Sequence, residues 1–265
     1  MSNLEIYCVT DKELSFLEKT PYKLAAVGRD QFSDQYIKCD TMDNIYYKEK
    51  NYSELTFHYW YWKNILPKEN KEWVGFCQKR RFWIKDKISA EKITTENLNN
   101  FLLSKIDNSL ENYESFICNP INISGAKKIK MIKRGWRNLL INPSIFFNKQ
   151  KENIAFHFDM HHGYRNLEKA INLLDKDNKK SFQYYVNNKN YYNPHIMCIA
   201  KPEILNKWFN SLFPWLERCE NEFGYADLKG YDTQRLYAYL AERYLSYWFK
   251  KNTNFKELPW TLVEL

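Results

Sequence analysis

A chain of 265 residues with a formal net charge of +8 is long enough for one large α/β domain with a sizeable core and barely long enough for two, so a single domain over residues 1–265 is expected. Its 7 glycines include no G-x-G-x-x-G or G-x-x-x-x-G-K run, which disfavours a Rossmann dehydrogenase or a P-loop enzyme; its 6 cysteines form no C-x-x-C pair, which disfavours a disulfide framework or a zinc knuckle and leaves buried thiols. The charge favours polyanionic partners, namely nucleic acid, a nucleotide sugar or the anionic face of a membrane, without choosing among them.

Residues 4–10 (LEIYCVT) read as a strand ending in a polar turn and residues 23–27 (KLAAV) as a second, both expected in a parallel sheet. A helix is predicted from Asn51: Asn51 and Glu54 look like a capping box, Leu55, Tyr59, Trp62 and Leu66 recur at helical spacing, and Pro67 forbids continuation. Residues 73–77 (WVGFC) are too short for a helix and read as a strand buried on both faces. Ligands in open α/β sheets collect beyond the carboxyl ends of such strands, and that place holds Gln78, Lys79, Arg80 and Arg81. Adjacent guanidiniums suit a diphosphate, because each donates paired hydrogen bonds to phosphate oxygens.

Residues 86–108 read as a polar helical stretch, followed by a short strand at 115–118 and a turn at Pro120. The basic segment 127–137 (KKIKMIKRGWR) shows no clear period and reads as a mobile lid or acceptor-side region. Within 155–174 a polar cluster precedes a helix with Leu167, Ala170, Ile171 and Leu174 on one face. Residues 196–200 read as another buried strand. Pro202 suits the first turn of a helix carrying Leu205, Trp208, Phe209 and Leu212, kinked at Pro214 and ending near Gly224; a last helix runs from Asp232 or Thr233 towards Lys251. No apolar run approaches ~18 residues and the start, MSNLEIYCVTDKEL, lacks a basic-then-apolar leader, so a cytoplasmic protein is expected. The aromatic content of 17% fits sugar-stacking surfaces and equally a core built with few alanines.

Six segments carry a resemblance: 4–10 (LEIYCVT), 40–45 (DTMDNI), 54–64 (ELTFHYWYWKN), 75–81 (GFCQKRR), 196–201 (IMCIAK) and 240–245 (LAERYL). In these, and in their order, the chain resembles the bacterial glycosyltransferase family long catalogued as a domain of unknown function. That family is found in capsule, exopolysaccharide and O-antigen gene clusters and includes galactofuranosyltransferases. Its pattern has glycine where this chain has Met42, histidine at Gln78, tyrosine at Lys79 and asparagine at Ile196. The resemblance implies a GT-A-like α/β fold, with a mixed, mostly parallel sheet flanked by helices. It also implies a UDP-sugar donor, galactofuranose among the candidate sugars, a lipid-linked or oligosaccharide acceptor, and inverting transfer.

Arg80 and Arg81, with Arg243 of the A-E-R motif, are assigned to the donor diphosphate; an arbitrary KRR run would otherwise read as a solvated charge pair. Guanidiniums that offset the leaving diphosphate make a divalent ion less necessary, so no metal cofactor is assigned, with manganese or magnesium as the alternative. Thr10, Asp40, Asp43, Asn44 and His195 are assigned to the donor nucleoside and sugar; for the D-x-x-D run the plain alternative is an Asx turn. His157, Asp159 and His161 alternate, and His157 and His161 are spaced for one helix face, so a zinc or manganese site is one option there. The other is a proton acceptor at His161 or His162, favoured because family members tend to have a histidine near this place. Arg235, Tyr239 and Glu242 fall on one helical stripe, for which an intrahelical ion pair is the plain reading. Resemblance to the A-E-R motif raises Glu242, which joins His161 and His162 as a candidate catalytic base.

The expected function is transfer of a sugar by direct displacement at the anomeric carbon during capsular or lipopolysaccharide-type glycan assembly. Peripheral contact with an anionic membrane is expected on the inner face of the cell membrane, and no nucleic-acid partner. One rival is a nucleic-acid-binding protein using residues 127–137 with Trp136, which lacks any helix-turn-helix, zinc or RNP pattern. The other is a catalytically silent scaffold of the same pathway, suggested by Gln78.

Overall fold

The structure, a computed structural model, describes residues 3–85 and 93–265. In chain order it contains strands β1 (Leu4–Thr10), β2 (Lys23–Ala26) and β3 (Tyr36–Lys38), helices α1 (Glu49–Tyr52) and α2 (Leu55–Asn64), and strands β4 (Trp73–Gln78), β5 (Arg81–Trp83), β6 (Ser115–Cys118) and β7 (Ile121–Asn122). Helices α3 (Lys128–Ile141), α4 (Ser144–Phe147), α5 (Ile154–His162), α6 (Asn166–Asn172) and α7 (Lys176–Asn188) follow, then strands β8 (Tyr191–Tyr192) and β9 (Cys198–Ala200). Helices α8 (Pro202–Phe223), α9 (Tyr231–Gln234) and α10 (Leu236–Asn252) and strands β10 (Phe255–Leu258) and β11 (Trp260–Leu262) complete the chain. These elements form two compact units: Met1–Asn119 with His195–Ser211 and Trp248–Leu265, and Pro120–Pro194 with Leu212–Tyr247.

The first unit holds a mixed sheet in the order β10-β6-β9-β4-β1-β2-β3, with β5 joined to β4 and β11. The run β4-β1-β2-β3 is parallel, as expected for the first two strands, and β9 is antiparallel to both β4 and β6. Alternation along β1 explains the layering. Leu4, Ile6 and Cys8 enter a core cluster with Leu24, Trp73, Cys77 and Phe82. Tyr7 points the other way, and its ring lies 5.5 Å from Phe57 and 5.0 Å from Tyr61 of α2. Every residue of β4 is buried, which agrees with the two-sided burial read from its apolar run. Gly75 lets β4 sit here, since a methyl on it would come within 2.7 Å of Ile199 Cγ1.

Three expectations need correction in this unit. The capping box does not form: Asn51 belongs to α1, Ser53 takes φ +52, and Glu54 stands at the start of α2 without a capping side-chain bond. The buried face of α2 carries Leu55, Phe57, His58, Trp60 and Tyr61 rather than Tyr59 and Trp62, because nearly every position is aromatic and period alone cannot pick a face. Residues 93–108 form no α-helix, only short turns at Leu98–Asn100 and Asn108–Leu110; residues 86–92 of that expected helix lie outside the described residues. β4 turns directly into antiparallel β5, with Gln78 opposite Arg81.

In the second unit α3 packs on α5 through Met131, Phe156 and Met160. This overturns the reading of 127–137 as a segment without period. The helix was hidden because its inward positions are Met131 and a glycine, Gly135, while several apolar residues face outward. Leu167, Ala170 and Ile171 are buried on α6 as expected, with the Trp215 indole donating to the Ala170 carbonyl at 2.8 Å. Pro214 lies inside α8, and Gly224 follows its end with φ +58. All six cysteines are buried thiols, none in a disulfide.

Candidate active site

In the first unit the sheet register lines up Thr10, Ala26 and Lys38, with Gln78 beside Val9, so four parallel strands reach their carboxyl ends side by side. The polar residues that follow gather there. Lys79 forms an ion pair with Asp11, and its backbone N–H donates to the Val9 carbonyl at 3.1 Å. Thr10 is tied up locally, its hydroxyl donating to the Lys12 carbonyl at 2.5 Å. Gly28 takes φ +85, which glycine adopts freely, and its carbonyl accepts the Tyr46 hydroxyl. Two cavities share Gly28 and Tyr46. One, about 350 Å³, is lined by Ala26, Asp30, Phe32, Lys38 and Asp40 among others; the second, about 420 Å³, is lined by Arg29, Tyr47, Glu49 and Lys50.

Arg80 and Arg81 sit on the β4–β5 turn, both half-buried. Arg80 Nε donates to the Val263 carbonyl at 3.2 Å, and Val263 N–H returns a bond to the Arg80 carbonyl at 2.8 Å, so the C-terminal segment braces the hairpin. Arg81 Nη1 donates to Gln78 Oε1 at 3.1 Å, whereas its buried Nε has no hydrogen-bond partner among the described residues. Arg81 is thus held at one nitrogen while its buried Nε lacks an acceptor among the described residues. Gln78, where the family pattern has histidine, thus orients Arg81.

The 40–45 loop is stapled to the aromatic helix. Trp60 Nε1 donates to the Thr41 carbonyl at 2.9 Å, the Tyr59 hydroxyl donates to Asp43 Oδ1 at 3.2 Å, and the Asn64 amide donates to the Asp43 carbonyl at 2.8 Å. Asn44 closes its own turn, accepting the Tyr46 N–H at 3.1 Å and donating to the Met42 carbonyl at 2.9 Å, which is the Asx-type reading. Met42 takes φ +55, which explains why the family pattern has a glycine there. Asp40 is exposed at the mouth of the smaller cavity. His195, also at positive φ, meets the edge of Trp260 at 4.6 Å.

The second unit brings together the candidate bases and Arg243. Arg243 is 1% exposed, ion-paired with Glu242, and its guanidinium carbon lies 4.0 Å from the Tyr192 ring centre, while its Nε has no partner among the described residues. On α5 the His157 and His161 rings are 4.6 Å apart. Burial, followed for His157 and His162 by the Arg243 charge, pushes His157 down to about 2 and His162 to about 3. His161 falls to about 4, through burial and then the Lys130 and Arg134 charges. All three imidazoles are therefore neutral near pH 7. His162 Nδ1 lies 2.8 Å from the Asp232 carbonyl, so that nitrogen carries the proton and Nε2 the lone pair; the ring stacks on Tyr239 at 3.8 Å. Asp159 does not join the histidines as a ligand set: it accepts from Asn138 at 2.9 Å and from the Arg165 N–H at 2.9 Å. Among the described residues no three His, Cys, Asp or Glu side chains are arranged to hold a metal ion.

The assigned residues thus fall into two groups. Arg80, Arg81, Thr10, Asp40, Asp43, Asn44 and His195 belong to the first unit, and Glu242, Arg243, His161 and His162 to the second. Sequence reasoning did not single out Asp11, Gly28, Arg29 and Tyr46 in the first group, and in the second it placed Tyr239 only on an ion-pair stripe, not against His162. A glycine directly after the KLAAV strand was the available signal for the Gly28 turn.

The family model described as "Domain of unknown function (DUF4422)" matches residues 5–253. No curated protein matches the sequence. Among solved structures the chain is similar to the apo structure of the WbbM bifunctional glycosyltransferase, with a TM-score of 0.73, 19% identity, and coverage of 100% of this chain and 46% of that one. The chain therefore spans under half the length of that protein, and the likeness is one of fold.

Proposed function

The chain belongs to the DUF4422 family, and on that premise, with a fold shared with a glycosyltransferase, we propose that it moves a sugar from a UDP donor to a lipid-linked or oligosaccharide acceptor in surface polysaccharide assembly. The observation that carries this reading is the first unit's row of parallel strand ends, with the Arg80–Arg81 turn following β4 and two cavities, lined by neither arginine, beyond β2 and β3. The acceptor hydroxyl oxygen attacks the anomeric carbon and the bond from that carbon to the UDP oxygen breaks, its electron pair leaving on the diphosphate. Arg80 and Arg81 offset that charge, so no divalent ion is required. The assignment of Glu242, with His161 or His162 as the alternative, as the acceptor of the hydroxyl proton is carried over from the family resemblance. Galactofuranose and inversion are carried over from the family resemblance, as is work at an anionic membrane. Among the described residues no helix is long and apolar enough to cross a membrane. A donor screen by hydrolysis and thermal shift tests the reading: a UDP-sugar should be turned over and should stabilise the protein, whereas stabilisation by single-stranded oligonucleotides alone would favour the nucleic-acid reading. UDP-sugar binding without turnover would favour a silent scaffold.

A further inference from the structure

Between Glu114 and Glu152 the chain carries no Asp or Glu, yet eight Lys and Arg: Lys127, Lys128, Lys130, Lys133, Arg134, Arg137, Lys149 and Lys151. The other 32 of the 40 basic residues match the 32 acidic ones, so this segment accounts for the whole net charge of +8. Its main element is α3, and α3 is amphipathic twice over. One face, with Met131 and Gly135, is held against α5; a methyl at Gly135 would lie 2.8 Å from Phe156 Cε2, so the helices touch closely. Buried Glu152 secures the approach to α3 by accepting the Gly125 and Ala126 N–H groups at 2.8 and 2.9 Å.

The opposite face should be polar and is not. Ile129, Ile132, Trp136 and Leu140 follow at spacings of three, four and four, forming one stripe over three turns, and they are 69%, 54%, 50% and 74% exposed. Phe147 on α4 is 80% exposed. Lys130, Lys133 and Arg137 flank the stripe along the helix surface. We propose that α3 lies in the plane of an anionic lipid surface, with Ile129, Ile132, Trp136 and Leu140 inserted at the boundary of headgroups and acyl chains and the flanking cations on lipid phosphates. An apolar stripe with basic flanks and a tryptophan is the chemistry of an interfacial helix. A second copy of the chain would bring like charges together along the same face, and a polynucleotide would place phosphates against the aliphatic centre of the stripe. This deepens the membrane contact of the proposed function by naming the face and making its attachment apolar as well as electrostatic.

The test is sedimentation of the full chain with phosphatidylcholine vesicles, with and without phosphatidylglycerol, at low salt and near ~1 M salt, where the Debye length is about 3 Å. Phosphatidylglycerol vesicles should bind the protein and retain part of it at high salt, and brominated acyl chains should quench emission that Trp136→Phe removes. The Ile129→Ser/Leu140→Ser double variant keeps every charge and changes only exposed side chains; it should lose the salt-resistant fraction about tenfold or more. Lys130→Gln/Lys133→Gln should instead weaken recruitment at low salt. Binding wholly reversed by salt and indifferent to the serine variant overturns the proposal, as does absence of vesicle binding, or a serine variant whose only change is loss of self-association without lipid. UDP binding and hydrolysis measured in the same samples without vesicles report on the transferase reading separately.

Discussion

Glu242 and Arg243 are adjacent, and adjacent helical residues do not share a face, yet Arg243 reaches the Glu242 carboxylate because its guanidinium is trapped over Tyr192. The carboxylate stays an acceptor while its position is fixed. Glu242→Gln preserves shape and one acceptor oxygen but cannot take a proton, so turnover should fall by about 10²–10⁴ with UDP affinity unchanged, read by steady-state rates and titration. Undiminished turnover would move the base to His161 or His162. The residues of this group were legible as chemistry, through the A-E-R motif and the histidine spacing. Their organisation was not, because the stripe of Arg235, Tyr239 and Glu242 suggested a surface ion pair, whereas Tyr239 lies under His162 and Glu242 pairs with its neighbour.

Short buried strands were the most legible elements. Residues 4–10 and 73–77 suit only a sheet interior, and both appear nearly as read, with β4 extending to Gln78. Helices failed where composition hid the period: α2 is aromatic all round, and α3 has a glycine inward and isoleucines outward. The pairing of the 40–45 loop with α2 was invisible in either segment alone, since it consists of bonds such as Trp60 to Thr41 that link the two motifs. Close approach of elements at glycine is a checkable part of this packing. Gly75→Ala places a methyl 2.7 Å from Ile199 Cγ1 and 3.1 Å from Ile6 Cγ1 in a filled core, and should destabilise the protein by about 1–3 kcal/mol. Chemical denaturation measures it; an unchanged midpoint would mean that β4 and β9 are looser than described.

At the scale of the whole molecule the α/β class was legible from alternating strands and helices, while the division into two compact units was not, because no linker composition marks it. Burial also gives the molecule a pH dependence. His58, His157 and His162 are pushed down to about 3, 2 and 3, in each case first by desolvation. A histidine depressed in the folded state leaves stability intact above its unfolded pKa of about 6.5 and removes it as pH falls below that value. Thermal melts should therefore show Tm constant above neutrality and falling from about pH 6.5, as unfolding free energy is lost at up to about 1.4 kcal/mol per histidine per pH unit. A flat profile down to pH 5 would mean these rings are solvated. Transfer in excess chelator should match that with added manganese or magnesium; complete loss in chelator, restored by manganese, would reassign charge stabilisation to a metal.

The donor site itself is tested most directly by calorimetric titration of UDP into the wild-type protein and into Arg80→Ala and Arg81→Ala. The wild type should bind UDP, and each variant should stay folded, with a modest drop in melting temperature from the lost Val263 or Gln78 bond, and lose about 1.5–3 kcal/mol of binding free energy, Lys substitutions restoring only part. A wild-type protein that does not bind UDP, or alanine variants that bind it equally well, would contradict the account.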